Sequence, residues 1–192
     1  MPKYSRFKSK IHPLAYVIGV LLLAIVVAVI VMSIPSEKQK IYNEYYQKQI
    51  RTEEFSAELV IDKDHLLKST TVKALESKID SKDLVIVYIG GNWCPVCVKE
   101  VGVYSKELKK NEELLEKAGS ILYLQKNADK EISGLKELAE KFKFDEPKLY
   151  PTLLSFYNGE LIDVKYQEGG EAPIDIRTNV RNYFDDVLLA TK

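Results

Sequence analysis

The chain has 192 residues, 46% hydrophobic, 10% aromatic and 29% charged, with 28 basic residues balanced by 28 acidic ones. That composition excludes a disordered polar tail, a collagen-like repeat and a polybasic nucleic-acid binder, so no nucleic-acid partner is expected. The zero net charge conceals a polarity, because Lys3, Arg6, Lys8 and Lys10 precede the first apolar run with no acid among them and leave the remainder net negative.

Residues 1–13 read as a basic tail. From Leu14 to Ile34 no charge interrupts a run of Val, Leu, Ile and Ala, long enough at about 1.5 Å per helical residue to cross a hydrocarbon core of about 30 Å. A transmembrane helix is expected over 14–34, with the cations holding the N-terminus in the cytoplasm and the rest of the chain outside the cell membrane. A cleaved signal peptide is the alternative, since Val31 and Ser33 suit the −3 and −1 positions of a cleavage site. The run exceeds the usual signal core of about 7–15 residues, which favours a retained anchor. Residues 35–55 place Tyr42, Tyr45, Tyr46 and Ile50 at helical spacing and Glu44 four residues before Lys48. They read as a charged stalk helix whose tyrosine face lies on the domain, on headgroups or on a partner.

Residues 56–192 then make one domain's worth of chain. Leu59 to Ile61 is a short apolar run read as the first strand, and Val72, Leu75 and Ile79 mark a helix face. Leu84 to Ile89 is unbroken and β-rich, as a strand buried on both faces should be, and it ends at Gly90-Gly91. Cys97, Val101, Tyr104 and Leu108 form the stripe of a helix that begins at the cysteines. Ile121 to Leu124 is the next strand, and Leu135, Leu138, Ala139 and Phe142 form the next helix face. Thr152 to Tyr157 and Leu161 to Tyr166 are strands around an Asn158-Gly159 turn, and Ile176, Val180, Tyr183, Phe184 and Val187 form the last helix. This order predicts an α/β fold with a mixed central sheet, parallel first and antiparallel at the end, flanked by helices on both faces.

The chemistry concentrates at Trp93-Cys94-Pro95-Val96-Cys97, between a buried strand and a helix. Unpaired N–H groups and the helix dipole at a helix start favour a thiolate at Cys94, and Pro95 costs no helix bond there. Cys97, one turn on, is placed to attack a mixed disulfide formed at Cys94. Metal binding and inert thiols are the competing readings. Tetrahedral zinc wants four ligands, and the chain offers no third cysteine and only His12 and His65, so no metal is expected. His65 reads as a surface histidine, and the Glu168 to Glu171 loop as a solvated turn.

With this motif and the stretch Tyr150-Pro151-Thr152-Leu153-Leu154-Ser155-Phe156-Tyr157-Asn158-Gly159, the chain resembles the thioredoxin superfamily from about Leu59 to the C-terminus. The resemblance implies a thioredoxin-like fold preceded by one N-terminal transmembrane helix, with Cys94 as nucleophile and Cys97 as resolving thiol. It also implies Trp93 as the active-site aromatic, Pro151 as a cis-proline facing the cysteines, and Tyr150 as the residue whose backbone pairs with substrate. The anchor, the Ile-Val-Tyr-Ile-Gly strand end and the Cys-Pro-x-Cys are most similar to the bacteriocin transport accessory proteins of Gram-positive bacteria, some of which act as extracytoplasmic thiol-disulfide oxidoreductases.

Two positions depart from the family pattern. The buried acid six residues before the first cysteine is Tyr88 here, a poor base at neutral pH, and the helix-kinking proline eight residues after that cysteine is Gly102, which permits a bend without forcing it. The expected function is a membrane-anchored oxidoreductase, oxidising towards exported proteins, with no cofactor beyond the Cys94–Cys97 disulfide and with a membrane or extracytoplasmic redox partner. A reductase or isomerase, or a non-catalytic accessory module for peptide export, is the alternative.

Overall fold

The computed structural model describes residues 13–51, 56–166 and 173–192. Two compact units divide at Ser36 and Glu37. The first contains α1 (Pro13–Ser33), whose stretch from Leu14 to Ser33 is long and apolar enough to cross a membrane by length and composition. Either a membrane anchor or a signal sequence has that character. The basic tail over residues 1–12 and the Glu168 to Glu171 loop lie outside the described residues.

The second unit is the mixed α/β domain the element order predicts. Its elements are α2 (Glu37–Gln49), β1 (Leu67–Ser69), α3 (Val72–Asp80), β2 (Val85–Gly90), α4 (Pro95–Lys110), α5 (Glu112–Ala118), β3 (Ile121–Gln125), α6 (Leu135–Phe142), β4 (Thr152–Tyr157), β5 (Glu160–Tyr166) and α7 (Pro173–Ala190). The strands form one sheet in the order β1-β3-β2-β4-β5, with β1, β3 and β2 parallel and β4 and β5 antiparallel to their neighbours. This is a thioredoxin-like topology. Every residue of the central strand β2 is buried. Ile86 and Tyr88 face one core layer with residues of α2, α4 and α7, while Val85, Val87 and Ile89 face a second layer with residues of α3 and α6. Burial on both sides is the reason that this strand shows no polar alternation. The β4–β5 turn has positive φ at both Asn158 (55°) and Gly159 (82°), the geometry a two-residue hairpin needs.

Three expectations are corrected. The helix expected over 35–55, with a tyrosine face on the domain, is present as α2, but it belongs to the compact unit, with Ile41, Tyr42, Tyr45 and Gln49 buried, so the domain begins at Glu37 rather than at residue 56. Gln49 is fully enclosed, donating from Nε2 to Val98 O (2.7 Å) and Leu59 O (3.2 Å) and accepting from Ile61 N–H (2.9 Å). Those bonds hold Leu59 to Ile61 as an irregular buried segment, and the first strand is Leu67–Ser69 instead. His65 is not at the surface but 1% exposed. Its Nδ1 accepts from Leu67 N–H (3.2 Å), which leaves Nε2–H to donate to Lys38 O (3.0 Å), and burial lowers its pKa in keeping with a neutral ring.

Gly102 also has a different reason from a bend. A β-carbon there would lie 2.3 Å from Leu59 O and 2.8 Å from Ile61 N, so the absent side chain lets α4 press against that backbone.

Candidate active site

The topology gathers the site at one end of the sheet. Ile89 near the end of β2 pairs with Thr152 at the start of β4, which sets Tyr150-Pro151 beside the loop leading to the cysteines. Gly90 pairs with Gln125 at the end of β3, and Lys126 N–H donates to Gly90 O at 2.8 Å, which brings Lys126 to the same end. Gly91 fits beneath Lys126 because a β-carbon there would come within 2.1 Å of its carbonyl oxygen.

Cys94 is the N-cap of α4, with Pro95 in the first turn, and its sulfur accepts the Cys97 N–H at 3.2 Å. The thiol of Cys94 donates to Tyr150 O at 3.3 Å, across the cis Tyr150-Pro151 bond. Both cysteines are free thiols. Cys94 is 6% exposed and Cys97 0%, so only the first has a path to another molecule. Their acidities diverge. A hydrogen bond from the Cys97 thiol, then the backbone N–H groups of Cys97 and Val96, bring Cys94 down to about 7 against burial and the Glu100 charge. Burial first, then the bond to Cys94, pushes the Cys97 thiol far up. At neutral pH the arrangement therefore suits Cys94 for attack as a thiolate while Cys97 keeps its proton.

The remaining residues singled out in the sequence frame Cys94. Trp93 is 39% exposed, donates Nε1–H to Lys126 O at 2.7 Å and meets the Tyr150 ring edge-on at 6.0 Å. Tyr150 donates its hydroxyl to Pro147 O at 3.0 Å. Lys126 was not singled out, yet its Nζ lies 5.9 Å over the Tyr150 ring and is held by the carbonyls of Asn127 and Lys130. Its position immediately after a strand parallel to β2 was the signal that could have found it. Leu149, which precedes Tyr150 in the chain, does not stand out in the sequence either, and it is 57% exposed. Tyr88, where the family pattern has an acid, is wholly buried under Gly90 and Cys97. Among the described residues no three His, Cys, Asp or Glu side chains cluster to hold a metal.

No family model and no curated protein matches the chain. Among solved structures it is similar in fold to the thioredoxin Mala s 13 of Malassezia sympodialis, at 15% identity with 62% of this chain and 92% of that chain covered and a TM-score of 0.41. It is also similar to the thioredoxin of Plasmodium falciparum, at 20% identity with 60% and 98% covered and a TM-score of 0.40. Both likenesses concern the fold.

Proposed function

We propose that this chain is a membrane-anchored thiol-disulfide oxidoreductase that exchanges disulfides with exported proteins outside the cytoplasm, Cys94 attacking and Cys97 resolving, and that it works in the oxidising direction. The observation that carries the reading is the asymmetry of the pair: one sulfur at a helix start with a lowered pKa and a face toward Tyr150 O, the other enclosed and protonated. Trp93, the half-buried Tyr150 and the exposed Leu149 offer an aromatic and apolar border on which an extended substrate strand would lie, with Pro151 itself buried. The apolar helix α1 supports the anchor, and the cations before it support a cytoplasmic N-terminus. Oxidation fits an extracytoplasmic setting, where exported proteins acquire disulfides.

A second reading, reductase or isomerase, is favoured by one observation: a Cys94 pKa of about 7 matches that of reducing thioredoxins, about 7, rather than the value of about 3.5 in a strong oxidase. That role needs electrons from a separate membrane partner, since α1 carries no cysteine.

The deciding experiment is the redox state of Cys94 and Cys97 in intact cells, by acid quench, alkylation with a bulky thiol reagent and gel shift. A mainly disulfide form is expected, and a mainly dithiol form would establish the second reading instead. A Cys94→Ala chain that still complements a deletion strain would replace both with a non-catalytic accessory module.

A further inference from the structure

Tyr88 carries the one buried side-chain polar atom without a hydrogen-bond partner among the described residues, its hydroxyl oxygen. The residue is 0% exposed, so no bulk water compensates it. A buried hydroxyl left unpaired costs folding free energy, and the phenylalanine that would avoid the cost has the same shape. The hydroxyls around it are engaged: Tyr45 and Tyr123 share a bond at 3.2 Å, and Tyr104 donates to Glu100. The rings of Tyr104 and Tyr123 hold the Tyr88 ring at centroid distances of 5.3 and 5.6 Å. What that hydroxyl shares space with is the resolving sulfur, whose pKa it lowers against the larger effect of burial. A single β-carbon placed on Gly90 would lie 2.7 Å from Tyr88 Oη and 3.1 Å from Cys97 Sγ, so the glycine keeps open the gap between them.

We propose that Tyr88 is a catalytic hydrogen-bond donor to Cys97, its hydroxyl turning to the sulfur when that sulfur carries negative charge. The inference rests on the exchange reading above. In the dithiol the Cys97 proton points to Cys94, and a neutral thiol is a weak acceptor. During exchange the Cys94 thiolate attacks a substrate disulfide, forming a mixed disulfide and releasing one substrate thiolate, which takes up a proton from water. Cys97 then attacks Cys94 Sγ as negative charge builds on its sulfur, the Cys94–Cys97 bond forms, the bond from Cys94 to substrate breaks, and the second substrate sulfur leaves with the bonding pair and takes up the proton that Cys97 gives up. Counted with the proton that Cys94 has already given to water in becoming a thiolate, the dithiol loses two electrons and two protons and the substrate disulfide gains both. Run backwards, Cys97 is the leaving thiolate, so one donor serves either direction. A thiolate in that enclosed position has little solvent, and a fixed donor supplies what solvent would, as an oxyanion hole does. Tyr88 itself stays protonated, because burial, then the neighbouring Tyr45, Cys97, Tyr104 and Tyr123, hold its pKa well above the ordinary phenol value.

The test is Tyr88→Phe in the full chain in detergent micelles, reacted with oxidised glutathione, with quenched samples weighed by mass spectrometry to follow the mixed disulfide. Formation of the Cys94 adduct is expected within about twofold of wild type and its resolution by Cys97 slower by about 10- to 100-fold, the loss of a hydrogen bond to a charged group. The melting temperature should be unchanged or higher, since no bonded partner is stranded. Tyr123→Phe, which removes a hydroxyl bonded to Tyr45 instead, should leave resolution within about twofold, whereas equal slowing in both variants would make the effect one of packing and overturn the proposal. A fluorotyrosine at position 88, a stronger donor of nearly the same shape, should speed resolution and serves as the readout where the phenylalanine variant does not fold. If wild type forms no mixed disulfide at all, the exchange reading falls and this proposal with it; if wild type exchanges and Tyr88→Phe resolves as fast, this proposal alone is overturned.

Discussion

The lowered pKa of Cys94 has a leading cause that one substitution removes. In Cys97→Ala the thiol that donates to Cys94 is gone, while the backbone N–H groups of residues 96 and 97 remain and burial and Glu100 still oppose them. A hydrogen bond to a charged group contributes about 1.5–3 kcal/mol, and about 1.36 kcal/mol moves a pKa by one, so the Cys94 pKa should climb from about 7 to about 8 or higher. Because the group is acidic, the thiolate dominates above its pKa and is lost below it. At pH 7 the thiolate fraction then falls from about half to about a tenth or less, and alkylation by iodoacetamide slows about fivefold or more. Well above pH 9 the two proteins should react alike. The assay is the alkylation rate across pH, with each curve's midpoint read as the pKa. A variant midpoint that stays at about 7 would refute the reasoning and leave the helix-start N–H groups as the whole cause. The same variant also acts as a trap, since Cys94 forms mixed disulfides that nothing resolves, and capture should be most efficient above pH 8.

Three further substitutions probe what holds the site. Gly102→Ala forces a β-carbon against the Leu59 carbonyl and should destabilise by about 1–3 kcal/mol or more, seen as a lower melting temperature; an unchanged melt would mean that α4 and the Leu59 to Ile61 segment separate freely. Gln49→Ala strands Ile61 N–H and the Leu59 and Val98 carbonyls, each costing about 1–3 kcal/mol if no water reaches it, and a chain started at Ser56 should lack a cooperative urea transition where one started at Glu37 keeps it. Burial opposes ionisation of Glu107, yet Lys110, Arg177 and Arg181 hold its pKa below the usual carboxylate range. Its contribution to stability is therefore complete above the unfolded value of about 4.3 and lost as pH falls through the lower folded one, and Glu107→Gln should flatten the acid limb of urea midpoint against pH. An acid limb as steep as in wild type would refute this.

The central strand, the hairpin and the cysteine helix were legible because each is decided locally. Leu84 to Ile89 is too apolar to face water on either side, Asn158-Gly159 suits positive φ, and Pro95 belongs in a first turn. What the sequence hid depends on partners distant along the chain. Residues 37–49 look like a spacer because their polar content is high, and only the opposing Tyr123, Val98 and Leu59 turn Tyr45 and Gln49 into core. The Leu59 to Ile61 run has the apolarity of a strand, yet its Ile61 N–H is claimed by a glutamine side chain rather than a neighbouring strand. Helix α5, with only Leu114 and Leu115 as large apolar residues among charges, offers too short a stripe to detect and is set by the Asn111 cap and the left-handed Gly119. At the site, the cysteines and Pro151 stood out by type, whereas Lys126 and the exposed Leu149 acquire their place from strand register and loop path alone.

The acidity of Cys94 also bounds the redox potential. A strong periplasmic oxidase owes its potential of about −120 mV to a reduced form stabilised by a thiolate of pKa about 3.5, ionised more than a thousandfold over the thiol at pH 7. With a pKa of about 7, Cys94 is only half ionised there, and the lost stabilisation of the dithiol, about 4.4 kcal/mol, moves the potential about 95 mV towards the reducing side. The other anchor is thioredoxin, with a similar pKa and a potential of about −270 mV. We therefore expect a value between about −270 and −215 mV, measured by equilibration with glutathione or dithiothreitol mixtures and alkylation of the free thiols. A centre so poised does not drive disulfide formation by its own potential; as an oxidase it would depend on continual reoxidation by a partner, as in a compartment kept oxidising kinetically. A measured value near −120 mV would show that something other than the Cys94 thiolate stabilises the dithiol, and would restore to the protein the driving force that this reasoning assigns to its partner.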